Sequence, residues 1–255
     1  MQRATILANE TGLEISANSP RPLAQVIDAL QQKYGWQINY EDAQYQAVPD
    51  YKEVPAPQYV TAKASTKIRI PSGGNFQVSV PFKNNSDATP DEQKTLETIV
   101  DAYNHSVNPG LFEVRKNIYG NFDVVGTSAR NGKAVVKKQP LLDTAITIPR
   151  KRRSQLEAVE LICSTLSNAL HMEVALGVNP HAIMLATQST AGGSRIPARQ
   201  LLADVLSSSS RQISWRLIYD PEGQNYFLNL TTVQNHRPVR SAATQQDTAQ
   251  PNTLP

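Results

Sequence analysis

The sequence predicts an α/β fold of the α+β type, with repeated βαβ and βαββ units whose helices pack on one face of small mixed sheets. Three observations predict it. Apolar residues alternate over short runs and then switch to helical spacing, several times along the 255 residues. Capping residues mark the helix starts, and glycine marks some of the stops. A proline-led amphipathic helix, a turn and a tryptophan-bearing strand that ends on tyrosine occur near both ends, over residues 22–40 and 196–219.

The elements follow in order. Leu13, Ile15 and Ala17 alternate as a strand, and Leu23, Val26, Ile27 and Leu30 then fall on one helical face. Gly35 stops that helix, and Trp36, Ile38 and Tyr40 alternate as the next strand. Residues 42–75 carry prolines at 49, 55, 57 and 71, which predicts a surface segment with an edge strand over residues 67–70. A second unit starts with a strand over residues 76–80. Thr89, Pro90 and Glu92 open its helix, with Thr89 as cap, and Leu96, Ile99, Val100, Tyr103 and Val107 form the buried stripe. Strands over residues 112–114 and 122–125 flank a turn at Gly120.

The third unit opens with a strand over residues 145–148. Ser154 and Glu157 form a capping box, and Leu156, Val159, Ile162, Cys163, Leu166 and Leu170 line one face. Strands over residues 172–176 and 182–187 follow. In the fourth unit Leu201, Leu202, Val205 and Leu206 face the core. A strand over residues 213–219, a turn at 220–223 and a partner strand over 226–230 complete it. Beyond residue 234 the chain is polar and is expected to be disordered. The division expected is 1–41, 42–75, 76–143, 144–190, 191–233 and the tail 234–255.

Composition excludes some classes. A net charge of +3 is too small to imply nucleic acid by itself. The single cysteine, Cys163, forms no internal disulfide and sits on an apolar helix face as a buried thiol. No run approaches the apolar length of a membrane-spanning helix. Residues 1–10 lack the apolar core of a signal peptide, so the chain as written reads as cytoplasmic. A signal peptide outside this chain would make it periplasmic or exported.

Residues 195–206, with Pro197, Ala198, Leu201 and Leu202, resemble the strand and helix that open the short secretin and TonB N-terminal domain. Residues 13–40 look like the same module. The polar run from Ser207 to Ser210 departs from the family pattern. The resemblance implies a small α/β module of bacterial envelope proteins, used for protein–protein contact.

Candidate sites are few. Arg150, Lys151, Arg152 and Arg153 precede the helix capped by Ser154 and read either as a solvated loop or as a binding site for an anion, such as a phospholipid headgroup or nucleic acid. His105, His171, His181 and His236 lack metal-ligand spacing, so no metal or cofactor is expected. No Gly-x-Ser-x-Gly elbow exists, and nothing near Ser207–Ser210 supplies a base, so no catalytic residue is assigned. Glu41 and Asp42 face Asp220 and Glu222 as an acid–base set only if the terminal units meet. Trp36 and Trp215 read as equivalent core residues, or as an exposed interface anchor. The leading expectation is a non-enzymatic, envelope-associated interaction protein with an unidentified protein partner. The alternative is anion binding through residues 150–153, and an enzyme with a site between units stands third.

Overall fold

The computed structural model of the protein describes residues 4–45, 50–55, 67–82, 89–131 and 134–234. Strands β1 (Thr5–Asn9) and β2 (Gly12–Ala17) form a hairpin, and α1 (Pro22–Tyr34) follows with Pro22 in its first turn. Gly35, at φ 70°, ends α1 in the left-handed conformation that glycine adopts without steric cost. After it come β3 (Ile38–Glu41), the antiparallel pair β4 (Tyr51–Pro55) and β5 (Lys67–Pro71), and β6 (Phe76–Pro81).

Helix α2 (Glu92–His105) is capped by Asp91, whose carboxylate accepts from the Lys94 N–H, and not by Thr89. Asp91 wins because Pro90 ahead of it fixes an extended approach and a carboxylate favours the positive helix end. Next come β7 (Leu111–Lys116), β8 (Phe122–Asn131), β9 (Ala134–Lys137) and a 3-10 turn, Leu141–Asp143. The second half contains β10 (Ala145–Ile148), β11 (Arg153–Ser154), α3 (Gln155–Leu170) and β12 (Val174–Leu176). It continues through α4 (His181–Ala186), β13 (Gln188–Ser189), β14 (Gly193–Pro197), α5 (Ala198–Leu206), β15 (Ile213–Asp220) and β16 (Asn225–Thr232). The capping box of Ser154 and Glu157 is present at α3. Residues 181–186 are a helical turn where a strand was expected. Pro180 precedes it, and only Met184 of it is buried, so one helical turn anchors a single side chain.

The mixed α/β class is as expected. Its wiring is not. The strands before α1 and after it do not share a sheet. β2 lies in the peripheral sheet β1-β2-β6, whereas β3 lies in a seven-stranded sheet of order β12-β16-β15-β3-β8-β7, with β9 paired to β8. The same happens at α5, where β14 pairs with β10 and β15 enters the central sheet.

This pattern divides the chain into two copies of one layout. In the first, β2-α1-β3 and β6-α2-β7-β8 contribute β3 parallel to β8 and β8 antiparallel to β7, while β2 pairs with β6 outside. In the second, β10-α3-β12 and β14-α5-β15-β16 contribute β12 parallel to β16 and β16 antiparallel to β15, while β10 pairs with β14. The first unit therefore corresponds to the third, and the second to the fourth. The expected match between the two terminal units is replaced. Trp36 lies in the turn before β3, stacked on Tyr34 at 4.7 Å, and Trp215 lies inside β15.

The halves present opposite faces. Tyr40, Val124 and Arg216 are in register and share a face. That face takes α1, through Asp28 and Gln31 on Arg216, and α2, through Tyr103 on Phe112. Trp215, Asn39 and Glu41 point the other way, toward Arg199 of α5, which packs on α3. Apolar residues of all four units nevertheless join one core, from Leu13 to Leu230.

Leu166 and Val205 are 1% and 2% exposed in that core. Leu166→Ala and Val205→Ala are each expected to cost about 1.5–4 kcal/mol in urea unfolding, from lost transfer energy plus an unfilled cavity.

Candidate functional site

The polar groups of the chain concentrate where β3 meets β15. Their ladder has two register pairs, Arg216 with Tyr40 and Leu217 with Glu41. Side chains extend it in both directions. Gln37 donates its amide to the Ile213 carbonyl at 2.9 Å, and the Asn39 amide oxygen accepts from the Trp215 N–H at 3.0 Å. Beyond the ladder the Asp42 N–H donates to the Leu217 carbonyl, and the Asp42 carboxylate accepts from the Tyr219 N–H. Gly126 lets this segment pass close to β8, since a Cβ there would sit 2.5 Å from the Ala43 nitrogen.

Three arginines clamp the joint. Arg21 donates to Asp42 at 2.6 Å and also to the Tyr219 carbonyl. The hydroxyls of Tyr40 and Tyr45 donate to the other oxygen of Asp42. Arg216 donates to Asp28 and to the Ile38 carbonyl. Arg199 pairs with Glu41, donates to Asp143 at 2.9 Å and lies 3.6 Å from Asp123, with its guanidinium 5.5 Å from the Trp215 ring. Glu41 also accepts from the Leu142 N–H, and Arg115 holds Asp143 from the far side at 2.7 Å.

Burial outweighs the pull of Arg199 and raises the Glu41 carboxyl, and burial likewise raises Asp123 against its bonds to Asn39 and Arg199. At Asp143 burial also acts upward, but the bonds from Arg115 and Arg199 overcome it and the carboxyl is lowered.

The terminal units do meet, so the acidic residues singled out by the sequence can be placed. Glu41 and Asp42 are buried and engaged by arginine, whereas Asp220 and Glu222 sit at the hairpin tip, with Glu222 near Arg69. The four do not converge. Trp36 and Trp215 are both buried, so neither ring is an exposed anchor; Trp36 stacks on Tyr34 of α1, and Trp215 lies under Arg199 of α5. In the basic run Arg150 donates to the Gly192 carbonyl and Arg153 to the Pro149 carbonyl, while Lys151 and Arg152 are exposed. Among the described residues no cluster of His, Cys, Asp and Glu suits a metal ion. His236 lies outside the described residues. Ser207 and Ser209 bond to neighbouring backbone, and with Tyr119, whose hydroxyl donates to Asp204, they border a cleft of about 180 Å³ at the end of the joint.

No family model, curated protein or solved structure matches this chain. The reading of function therefore rests on the molecule itself. Sequence reasoning missed Arg199, Arg21 and Arg216, because isolated arginines on helices and strands carry no motif. Arg216 was further hidden, because it stands between Trp215 and Leu217 at a position where strand alternation expects a solvent-facing polar residue. Among the described residues no helix is long and apolar enough to cross a membrane.

Removing Arg199 strands its carboxylates. Arg199→Met is expected to cost about 3–5 kcal/mol at pH 7 in urea unfolding. The sign with pH follows from the raised pair. The folded chain keeps protons on Glu41 and Asp123 that the unfolded chain releases just above about pH 4. Their contribution to stability thus falls as pH rises through that window, and Asp143 runs the other way, losing its contribution as pH falls. The Arg199→Met loss should therefore shrink toward pH 4, where the stranded carboxyls are neutral. Cys163 gives a second check. Burial foremost, and the charge of Glu160 after it, push its thiol up to about 12, so it should stay unreactive to a disulfide reagent at pH 8 until urea unfolds the chain.

Proposed function

We propose that the protein is a non-enzymatic interaction protein of the bacterial envelope, built from modules like the secretin and TonB N-terminal domain. One observation carries the reading. The charged groups gathered at the joint are bonded to one another, while the long sheet ends in strands that pair on one side only among the described residues. The core arginines and carboxylates hold two halves together. Among the described residues the sheet ends at β12 on one side and β7 on the other, and such edges are what a molecule of this kind offers to a second protein. The test is retrieval by tagged full-length chain from the envelope fraction of its host. A partner that co-elutes in a fixed ratio on gel filtration is expected. Retention of no envelope protein counts against the reading.

The second reading is anion binding through Arg150, Lys151, Arg152 and Arg153, favoured by the exposure of Lys151 and Arg152 beside the start of α3. The anion would be a phospholipid headgroup or nucleic acid. Against it, Ser154 and Glu157 already occupy that helix end, and Arg150 and Arg153 bond to backbone. The full chain is expected not to bind anionic vesicles, heparin or single-stranded DNA at physiological salt. Binding that falls steeply with salt and vanishes on changing all four residues to serine would promote this reading.

A further inference from the structure

We propose that the cleft at the end of the joint binds a neutral sugar ring, as a free hexose or as one residue of a longer glycan. The cleft has a volume of about 180 Å³. It lies between the turn that joins β7 to β8, in the first half, and the link from α5 to β15, in the second.

Both walls are fastened by the fold itself. The Asn117 amide oxygen accepts from the N–H groups of Tyr119 and Asn121, at 3.0 Å and 3.1 Å, and its NH2 donates to Asp123. The Tyr119 hydroxyl donates to Asp204 of α5 at 2.9 Å, so its ring is held at the rim while remaining 47% exposed. Across the cleft the Ser209 hydroxyl oxygen accepts from the Arg211 N–H, and the Gln212 carbonyl accepts from the Val233 N–H. The buried side chains of Leu206, Ile213 and Trp215 complete the lining. A site shaped in advance loses less conformational freedom when a ligand enters.

The groups left over select the ligand. The side chains of Asn121, Ser210, Arg211 and Gln212 line the cleft and make no hydrogen bond or ion pair among the described residues. Amides and hydroxyls each donate and accept, as does every hydroxyl of a sugar. A sugar ring also carries an apolar face of C–H groups, for which the Tyr119 ring supplies the contact. The cleft is smaller than the roughly 300–1,000 Å³ of pockets for drug-sized ligands, which fits a single ring.

Charge and topology argue against other occupants. The C-terminal end of α5 opens onto the cleft at Leu206 and Ser207, and a helix C-terminus carries partial negative charge that disfavours an anion. The Asp204 carboxylate at the rim already accepts from Tyr119, and the Arg211 guanidinium disfavours a cation. A peptide added as a strand needs an open backbone edge, whereas β15 is paired on both sides, with β16 and β3. A neutral ligand dense in hydroxyls meets none of these objections.

The probes are glucose, N-acetylglucosamine and their trisaccharides maltotriose and triacetylchitotriose, with glucuronate as the anionic counterpart. Each is titrated to millimolar concentration into isotope-labelled full chain, and the side-chain NH2 signals of Asn121 and Gln212 are followed by NMR. At least one neutral sugar should shift both signals saturably and bind more tightly than glucuronate. A trisaccharide that binds more tightly than its monosaccharide assigns the cleft to a glycan, and no gain assigns it to a free sugar. The double change Asn121→Ala, Gln212→Ala removes no bond within the fold. It should leave the melting temperature unchanged and weaken binding about tenfold or more, read by saturation transfer to the sugar protons. Tyr119→Ala should weaken binding as well. No binding of any neutral sugar, or equal binding by wild type and the double variant, overturns the proposal. Tighter binding of glucuronate, lost in Arg211→Ser, overturns it in favour of an anion site. Shifts of both amides by a protein retained from the envelope fraction, with no sugar binding, overturn it too, yet leave the interaction reading standing.

Discussion

Everything else in this fold depends on the joint between β3 and β15. Two βαβ–βαββ halves meet there over a short backbone ladder, and the side chains of Gln37, Asn39 and Asp42 bond to main-chain groups of β15 beyond it. The arginines then tie residues far apart in sequence: Arg21 to Asp42 and Tyr219, Arg199 to Glu41 and Asp143, Arg216 to Asp28. Buried ion pairs contribute little net stability compared with apolar packing, because desolvation offsets their attraction. Their use is specificity. Shifting β15 by one residue would turn Arg216 away from Asp28 and Trp215 away from Arg199, and every misplaced charge would be buried without a partner.

The reversal of faces between the halves explains why the joint is polar. Half of each strand's side chains at the joint point to α1 and α2, and the other half to α5. Neither face is solvent, so both sides of β3 are buried. A strand buried on both faces usually reads as a continuous apolar run. Here Asn39 and Glu41 occupy one face, and the groups that satisfy them include Trp215 and Arg199 from the other half of the chain. Asn39 bonds to Asp123 and Trp215, and Glu41 to Arg199 and Leu142. The 3-10 turn Leu141–Asp143, which links the halves, supplies both the apolar cover of Leu142 and the carboxylate of Asp143. The connection is therefore part of the joint and fixes how the halves face each other.

Local chemistry was legible in the sequence. The capping box at Ser154, the stop at Gly35, the helical stripes of α1, α3 and α5, that of α2 apart from Val107, which lies beyond the helix end and is exposed, and the hairpin of β15 and β16 are all encoded within a few residues of where they act. Long-range pairing was not. Leu13 and Ile15 alternate in the same way whether β2 lies beside β3 or beside β6, since periodicity reports a buried face and not the neighbour. The repeat was visible as a repeat, but the two tryptophans suggested the wrong correspondence. Trp36 follows its helix after one residue, whereas Trp215 follows α5 after the serine run. Topology, and not shared residue types, pairs the first unit with the third. The joint was the least legible, because its carboxylates and arginines gain meaning only once β3 and β15 are adjacent.

The layout also leaves its edges unequal. In the second half the strand that corresponds to β7 is β15, and β3 covers its outer side. In the first half no strand lies on that outer side among the described residues, and the chain closes part of it by another route: the Asn104 amide oxygen accepts from the Phe112 N–H and its NH2 donates to the Phe112 carbonyl. One side chain from α2 thus stands in for one residue of a neighbouring strand. At the other end β12 is only three residues long, and a short edge is a weak template.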